Sequence, residues 1–121
     1  MPYYDSGLDL GVNGIAAGGT RIALHTADPG STGANEVAGT GRPATTWAAA
    51  TSTTVGGKTA RQRVGSQVSA PIPAGTTVTH WSLMAAATGG QPLYSDALPA
   101  PETFGSAGTL QVNPSILVAN P

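Results

Sequence analysis

Thr76-Thr77-Val78-Thr79-His80-Trp81-Ser82-Leu83-Met84-Ala85 carries the clearest structural signal in the chain. Five of its first six residues are β-branched or aromatic, a composition that fits a pleated, half-buried surface. Pro71-Ile72-Pro73-Ala74-Gly75 precedes it as a turn. Thr88-Gly89-Gly90 closes it, and Gln91-Pro92-Leu93-Tyr94-Ser95 returns as the second arm of a hairpin. Leu98 to Pro101 continues extended, punctuated by proline. Further on, Gly108 to Val112 and Ser115 to Ala119 read as two closing strands, parted by Asn113-Pro114, where the missing N–H of proline ends a ladder.

Upstream the same pattern recurs. Thr20-Arg21-Ile22-Ala23-Leu24-His25-Thr26 alternates Ile22, Leu24 and Thr26 with Arg21, Ala23 and His25, which predicts a half-buried strand with His25 on its polar side. Ala27-Asp28-Pro29-Gly30 ends it in a turn. Ser31 to Gly41 is a polar, glycine-rich loop. Ala44 to Trp47 and Thr51 to Val55 read as short strands, followed by Gly56-Gly57. Arg61 to Ala70 reads as one strand with Val64, Ser66 and Val68 on one face and Arg61, Arg63 and Gln67 on the other. About seven or eight short strands without a long helix predict an all-β protein, a single antiparallel β-sandwich or jelly-roll-like domain over residues 20–121. In residues 1–19, Leu8, Leu10, Val12 and Ile15 could line one side of an element. Gly7, Gly11, Gly14, Gly18 and Gly19 each cost a helix about 1 kcal/mol relative to Ala. An irregular N-terminal arm or loose segment is the expectation there, able to add backbone pairing to a neighbour's sheet edge.

Composition narrows the function. The 121 residues hold five Lys+Arg and six Asp+Glu, a net charge of -1. Only 9% are charged, against about a quarter in ordinary domains. Phosphate affinity comes from neutralising many charges, so no nucleic-acid partner is expected. The absence of cysteine removes disulfides, thiolate metal sites and cysteine nucleophiles. No apolar run reaches the ~18 residues of a membrane span, and the first residues lack the basic start of a secretion signal. Ala, Gly and Thr number 20, 17 and 16, whereas Val, Ile, Leu and Phe together number 21. A core so poor in large side chains gains little apolar area per residue, which favours stabilisation by neighbouring subunits.

The chemistry-bearing residues are few. His25 and His80 alone have an ordinary pKa near neutrality. Ser82, His80 and Asp96, or Ser31, His25 and Asp28, could be written as triads, but neither set has a nucleophile elbow. Asp28 and Glu36 bracket a loop without the alternating oxygen ligands of a calcium site. A turn held by Asp28, with Glu36 exposed or paired, is the plainer role. Gly39-Thr40-Gly41-Arg42 and Gly89-Gly90 lack the phosphate-loop pattern. Lys58, Arg61 and Arg63 form the basic cluster, read as a solvated strand face or an intersubunit ion-pair site. Trp47 and Trp81 are expected in the core, with sugar stacking on an exposed indole as the functional alternative. No catalytic residue, cofactor-binding residue, metal ligand or cofactor is assigned.

Three segments carry a family resemblance. Arg21 to Val37, containing Leu24-His25-Thr26-Ala27-Asp28-Pro29-Gly30-Ser31-Thr32-Gly33-Ala34-Asn35-Glu36-Val37, resembles the SLHTADPGTTGANEV signature of small virion structural proteins of actinobacterial tailed phages. Ala74 to Leu83, followed by Ala86-Ala87-Thr88-Gly89-Gly90, resembles that family's AGTTVTHWGLWDAATGG, with Met84-Ala85 in place of the usual aromatic and acid. Pro101-Glu102-Thr103-Phe104-Gly105 resembles its APETFG turn. The likeness covers most of residues 20–112 and leaves out the N-terminus, where the family usually has a helix. It implies a non-enzymatic bacteriophage virion protein, labelled in the family as tail-fibre-like or as a capsid accessory. The short chain points to a head decoration or cement protein at the capsid surface, self-associating as a homotrimer on the major capsid protein. The alternative is a tail-fibre or baseplate subunit joined to other tail proteins and involved in host attachment.

Overall fold

The computed structural model describes residues 3–120. One helix, α1 (Asp5–Gly18), precedes eight strands: β1 (Arg21–His25), β2 (Thr51–Val55), β3 (Lys58–Val64), β4 (Val68–Ile72), β5 (Thr76–Met84), β6 (Tyr94–Phe104), β7 (Gly108–Val112) and β8 (Ser115–Ala119). They form three antiparallel sheets ordered β1-β5-β6, β2-β3-β8 and β4-β7. The architecture is that of an all-β, sandwich-like domain, with the sheets closing over a shared core.

The strand from which the reading began is the hub of its sheet. β5 pairs with β1 on one side, Leu24 opposite Trp81, and with β6 on the other, Leu83 opposite Tyr94. A bulge between Val78 and His80 changes the alternation. Val78 and Trp81, three residues apart, both enter the core, and Leu83 follows. β4 shows the plain form of the pattern: Val68, Ala70 and Ile72 point inward opposite Val112, Leu110 and Gly108 of β7. β2 and β3 join through Gly56-Gly57, whose φ values of 58° and 78° give the two left-handed positions of a tight hairpin.

Four expectations are corrected. Residues 5–18 are helical, not an irregular arm; Met1 and Pro2 of that segment, and Pro121, lie outside the described residues. Leu8, Val12 and Ala16 recur at helical spacing and are buried, and α1 lies across β3 and β8. Gly11 allows the close approach, since a Cβ there would stand 3.3 Å from Val118 Cγ1. Tertiary packing outweighs the weak propensity. Second, the run Arg61 to Ala70 is two strands. The chain leaves β8 at Gly65, which packs against Thr45, Trp47 and Pro114, and re-enters a sheet beside β7. Val64 is exposed as a result while Val68 is buried. Third, β4 runs on through Pro71 to Ile72, so the turn is shorter than predicted. Fourth, Ala44 to Trp47 makes isolated bridges to Arg21 and Gly65 and no strand.

Candidate functional site

β1 and β5 bring the two histidines of the chain together. In an antiparallel pair, directly opposed residues share a face. His25 stands opposite His80, and Ala23 opposite Ser82, on the face away from the core. That face is not solvated. Residues 26–42 fold back over it, and His25 and Ser82 are both 0% exposed. The expected polar side of β1 is thus a second buried side.

The hydrogen bonds settle the state of His25. The carbonyl of Ala34, 2.9 Å from Nδ1, can only accept, so Nδ1 carries the proton. Nε2 then accepts from the Ser82 hydroxyl at 2.7 Å. Burial penalises the imidazolium and lowers the pKa of His25 below 6.5, against the opposing pull of Ala34 and Glu36. The arrangement is a Ser–His pair with a backbone carbonyl where a triad would place a carboxylate, and it is sealed from solvent. Its effect is to fasten the loop to the sheet.

Neither triad written from the sequence assembles. Asp96 lies opposite Trp81 and His80 opposite Ala97, so their side chains leave opposite faces of the sheet. His80 Nδ1 meets Thr79 Oγ1 at 2.8 Å, and Asp96 accepts from the N–H of Ala97. Asp28 accepts from the N–H of Gly30, holding its turn as expected. Glu36 is paired with Arg42.

Arg42 is the residue that sequence reasoning passed over. It is 6% exposed, with φ of 43°. Its Nε and Nη2 donate to the two carboxylate oxygens of Glu36 at 2.8 and 2.7 Å. Nη1 donates to the carbonyls of Ala86 and Gly89. One guanidinium therefore ties the loop to the 85–90 connection. The fork holds the carboxyl of Glu36 below its usual range. The sequence signal was present as an arginine after Thr40-Gly41 and six residues past a glutamate, but no local pattern joins either to residues 86 and 89.

The basic cluster also acts within the chain. Arg61 Nε donates to Asp9 of α1 at 2.6 Å, and Arg63 donates to the Ala48 carbonyl and to Asn13 of α1. These contacts pin the helix to β3. Trp47 is half-buried, with its indole N–H on the Gly19 carbonyl at 3.0 Å. Trp81 is 4% exposed, lies against Tyr94 with centroids 5.8 Å apart, and lines an open cleft between β6 and β7. Among the described residues no group of three or more His, Cys, Asp or Glu side chains is placed to hold a metal ion, and no helix is long and apolar enough to cross a membrane.

No curated protein matches the chain. No solved structure matches it either. Residues 11–120 match the family Gp80, described as podophage GP4 fiber I protein gp80. That match spans α1 from Gly11 and all eight strands. The chain thus belongs to the Gp80 family of bacteriophage fibre proteins, structural components of the virion.

Proposed function

We infer that the chain is a non-enzymatic subunit of a phage tail fibre, working as a self-associating structural domain joined to other tail proteins. The family match over residues 11–120 carries this reading. It favours the fibre over the head decoration role that chain length alone pointed to. The internal economy of the polar groups supports it. His25, Ser82, Glu36, Arg42, Asp9, Arg61 and Arg63 are all engaged in holding helix, loop and sheets together. Self-association is supported by the thin core and by apolar side chains left outside it: Leu10 is 77% exposed, and Val55, Val64 and Leu93 are exposed too.

Mass spectrometry of virions separated into heads and tails tests the location. The expected result is the chain in the tail fraction and its absence from heads. Recovery in heads alone would return the protein to the capsid surface.

A further inference from the structure

We propose that the cleft between β6 and β7 binds a single neutral sugar unit, with the indole N–H of Trp81 as the donor at its floor. The cleft encloses about 260 Å³, just under the ~300–1,000 Å³ of pockets that take drug-sized ligands. It has room for one ring-sized group.

Three observations define the ligand. The first is the state of Trp81. Its indole N–H has no acceptor among the described residues, whereas that of Trp47 is bonded to Gly19. Among the described residues no side-chain nitrogen or oxygen is both unpaired and closed to solvent. The N–H of Trp81 therefore keeps contact with solvent although the residue is 96% covered, and the cleft is the opening that Trp81 lines. An apolar occupant would strip water from that donor and give nothing back. The ligand needs an acceptor oxygen at the floor.

The second is the lining. Leu98 and Leu110 give the cleft apolar lining, and the exposed Glu102, Gln111 and Asn113 give it polar lining. These three residues are exposed, and their side chains make no hydrogen bond or ion pair among the described residues. A carboxylate and two amides offer acceptors and donors together, which suits hydroxyl groups that can do both. No cation lines the cleft, so an anionic ligand would face the Glu102 carboxylate uncompensated.

The third is the edge. β6 is the outer strand of its sheet. An extended peptide could bind there only by adding backbone pairing, and Pro99 and Pro101 remove two N–H donors from that strand beside the cleft. A compact, uncharged ring with apolar C–H faces and hydroxyl edges meets every requirement.

The proposal deepens the fibre reading, and rests on it only for the place where such a sugar would be met. Binding itself is read on the isolated full chain, so failure of one does not imply failure of the other. With two tryptophans, a ¹⁵N-labelled sample gives two indole N–H resonances, and Trp47 serves as the internal reference. Methyl glycosides of glucose, galactose and mannose are titrated at tens of millimolar, with glucuronate as the anionic comparison. The expected result is a saturable shift of the Trp81 indole resonance with at least one neutral glycoside, a fixed Trp47 resonance, and weaker or absent response to glucuronate. Trp81→Phe should abolish binding, read on the backbone amide resonances of Gln111 and Asn113, which line the same cleft. Should that variant fold poorly, Gln111→Ala and Asn113→Ala change only exposed side chains, and each should weaken binding roughly 5-fold, the equivalent of ~1 kcal/mol. A Trp81 resonance unmoved by all three glycosides, a preference for glucuronate, or affinity unchanged in both alanine variants would overturn the proposal.

Discussion

At the scale of single residues, the buried polar groups determine what acid and mutation do. Arg42 leaves little room for replacement, because its fork fills a carboxylate on one side and two carbonyls on the other. Arg42→Met should destabilise the fold by about 3 kcal/mol, the lower end of the range for breaking a buried pair, since Glu36 keeps some access to water. Arg42→Lys should recover only part of the loss, because an ammonium cannot reproduce the fork. Urea unfolding midpoints of the three proteins check this. His25 sets a pH dependence of known sign. Its folded pKa lies below 6.5 because burial opposes the charged ring. As pH falls past 6.5 the unfolded chain takes up the proton first, so stability is full above that point and declines below it. Glu36 adds a second loss at lower pH, below its ordinary 4.5, since Arg42 holds its folded pKa down. Unfolding free energies measured from pH 7 to about pH 5 should fall for the native chain and stay flatter for His25→Gln. A native profile that rises on acidification would contradict the neutral, Nδ1-protonated His25.

At the scale of elements, the glycines separate what was legible in the sequence from what was not. Five of the eight strands lie where alternation and turn residues predict them, because β1, β2, β5, β7 and β8 each carry their signal within a few consecutive residues. The helix was hidden because its glycines were judged by propensity, while their role is set by partners distant in sequence. Gly11 abuts Val118, and Gly18 abuts Leu93. Gly14 has nothing within 4 Å of where a Cβ would sit. Gly14→Ala should therefore stabilise the protein by about 0.5–1 kcal/mol, the propensity difference alone, whereas Gly18→Ala should gain nothing, its Cβ coming within 2.9 Å of Leu93. Gly65 marks the split of the predicted long strand. A Cβ there would meet Trp47 and Pro114 at 2.9 Å and the Thr45 hydroxyl nearer still. Gly65→Ala should cost about 3 kcal/mol, the upper range for overpacking. Thermal unfolding of the three variants distinguishes these cases. The candidate site was less legible than the strands for the same reason. Both histidines and Ser82 could be singled out by type, but which serine meets which histidine is decided by the register between β1 and β5, fixed across 57 residues.

At the scale of the whole molecule, low charge and small side chains limit the forces available for assembly. Between side chains of the described residues two ion pairs, Arg42–Glu36 and Arg61–Asp9, close at 2.7 and 2.6 Å, and both lie within the chain. They consume four of the eleven charged side chains. Arg63 is turned inward as well, onto the Ala48 carbonyl. Beside its few exposed charges the surface offers a neighbouring copy apolar and backbone groups: the exposed side chains of Leu10, Val55 and Val64, and the edge strands β2 and β6. Contacts of that type are screened little by salt, whereas charge-driven contacts weaken as the Debye length shrinks from about 10 Å at 0.1 M to about 3 Å at 1 M. An oligomer of this chain should accordingly keep its mass across that range, as measured by light scattering after size-exclusion chromatography. Leu10→Ser should weaken it, because this side chain stands 77% exposed on the outer face of α1 and touches little that holds the fold. Dissociation on raising salt, with Leu10→Ser unchanged in mass, would transfer the interface to the remaining charged groups and away from the helix.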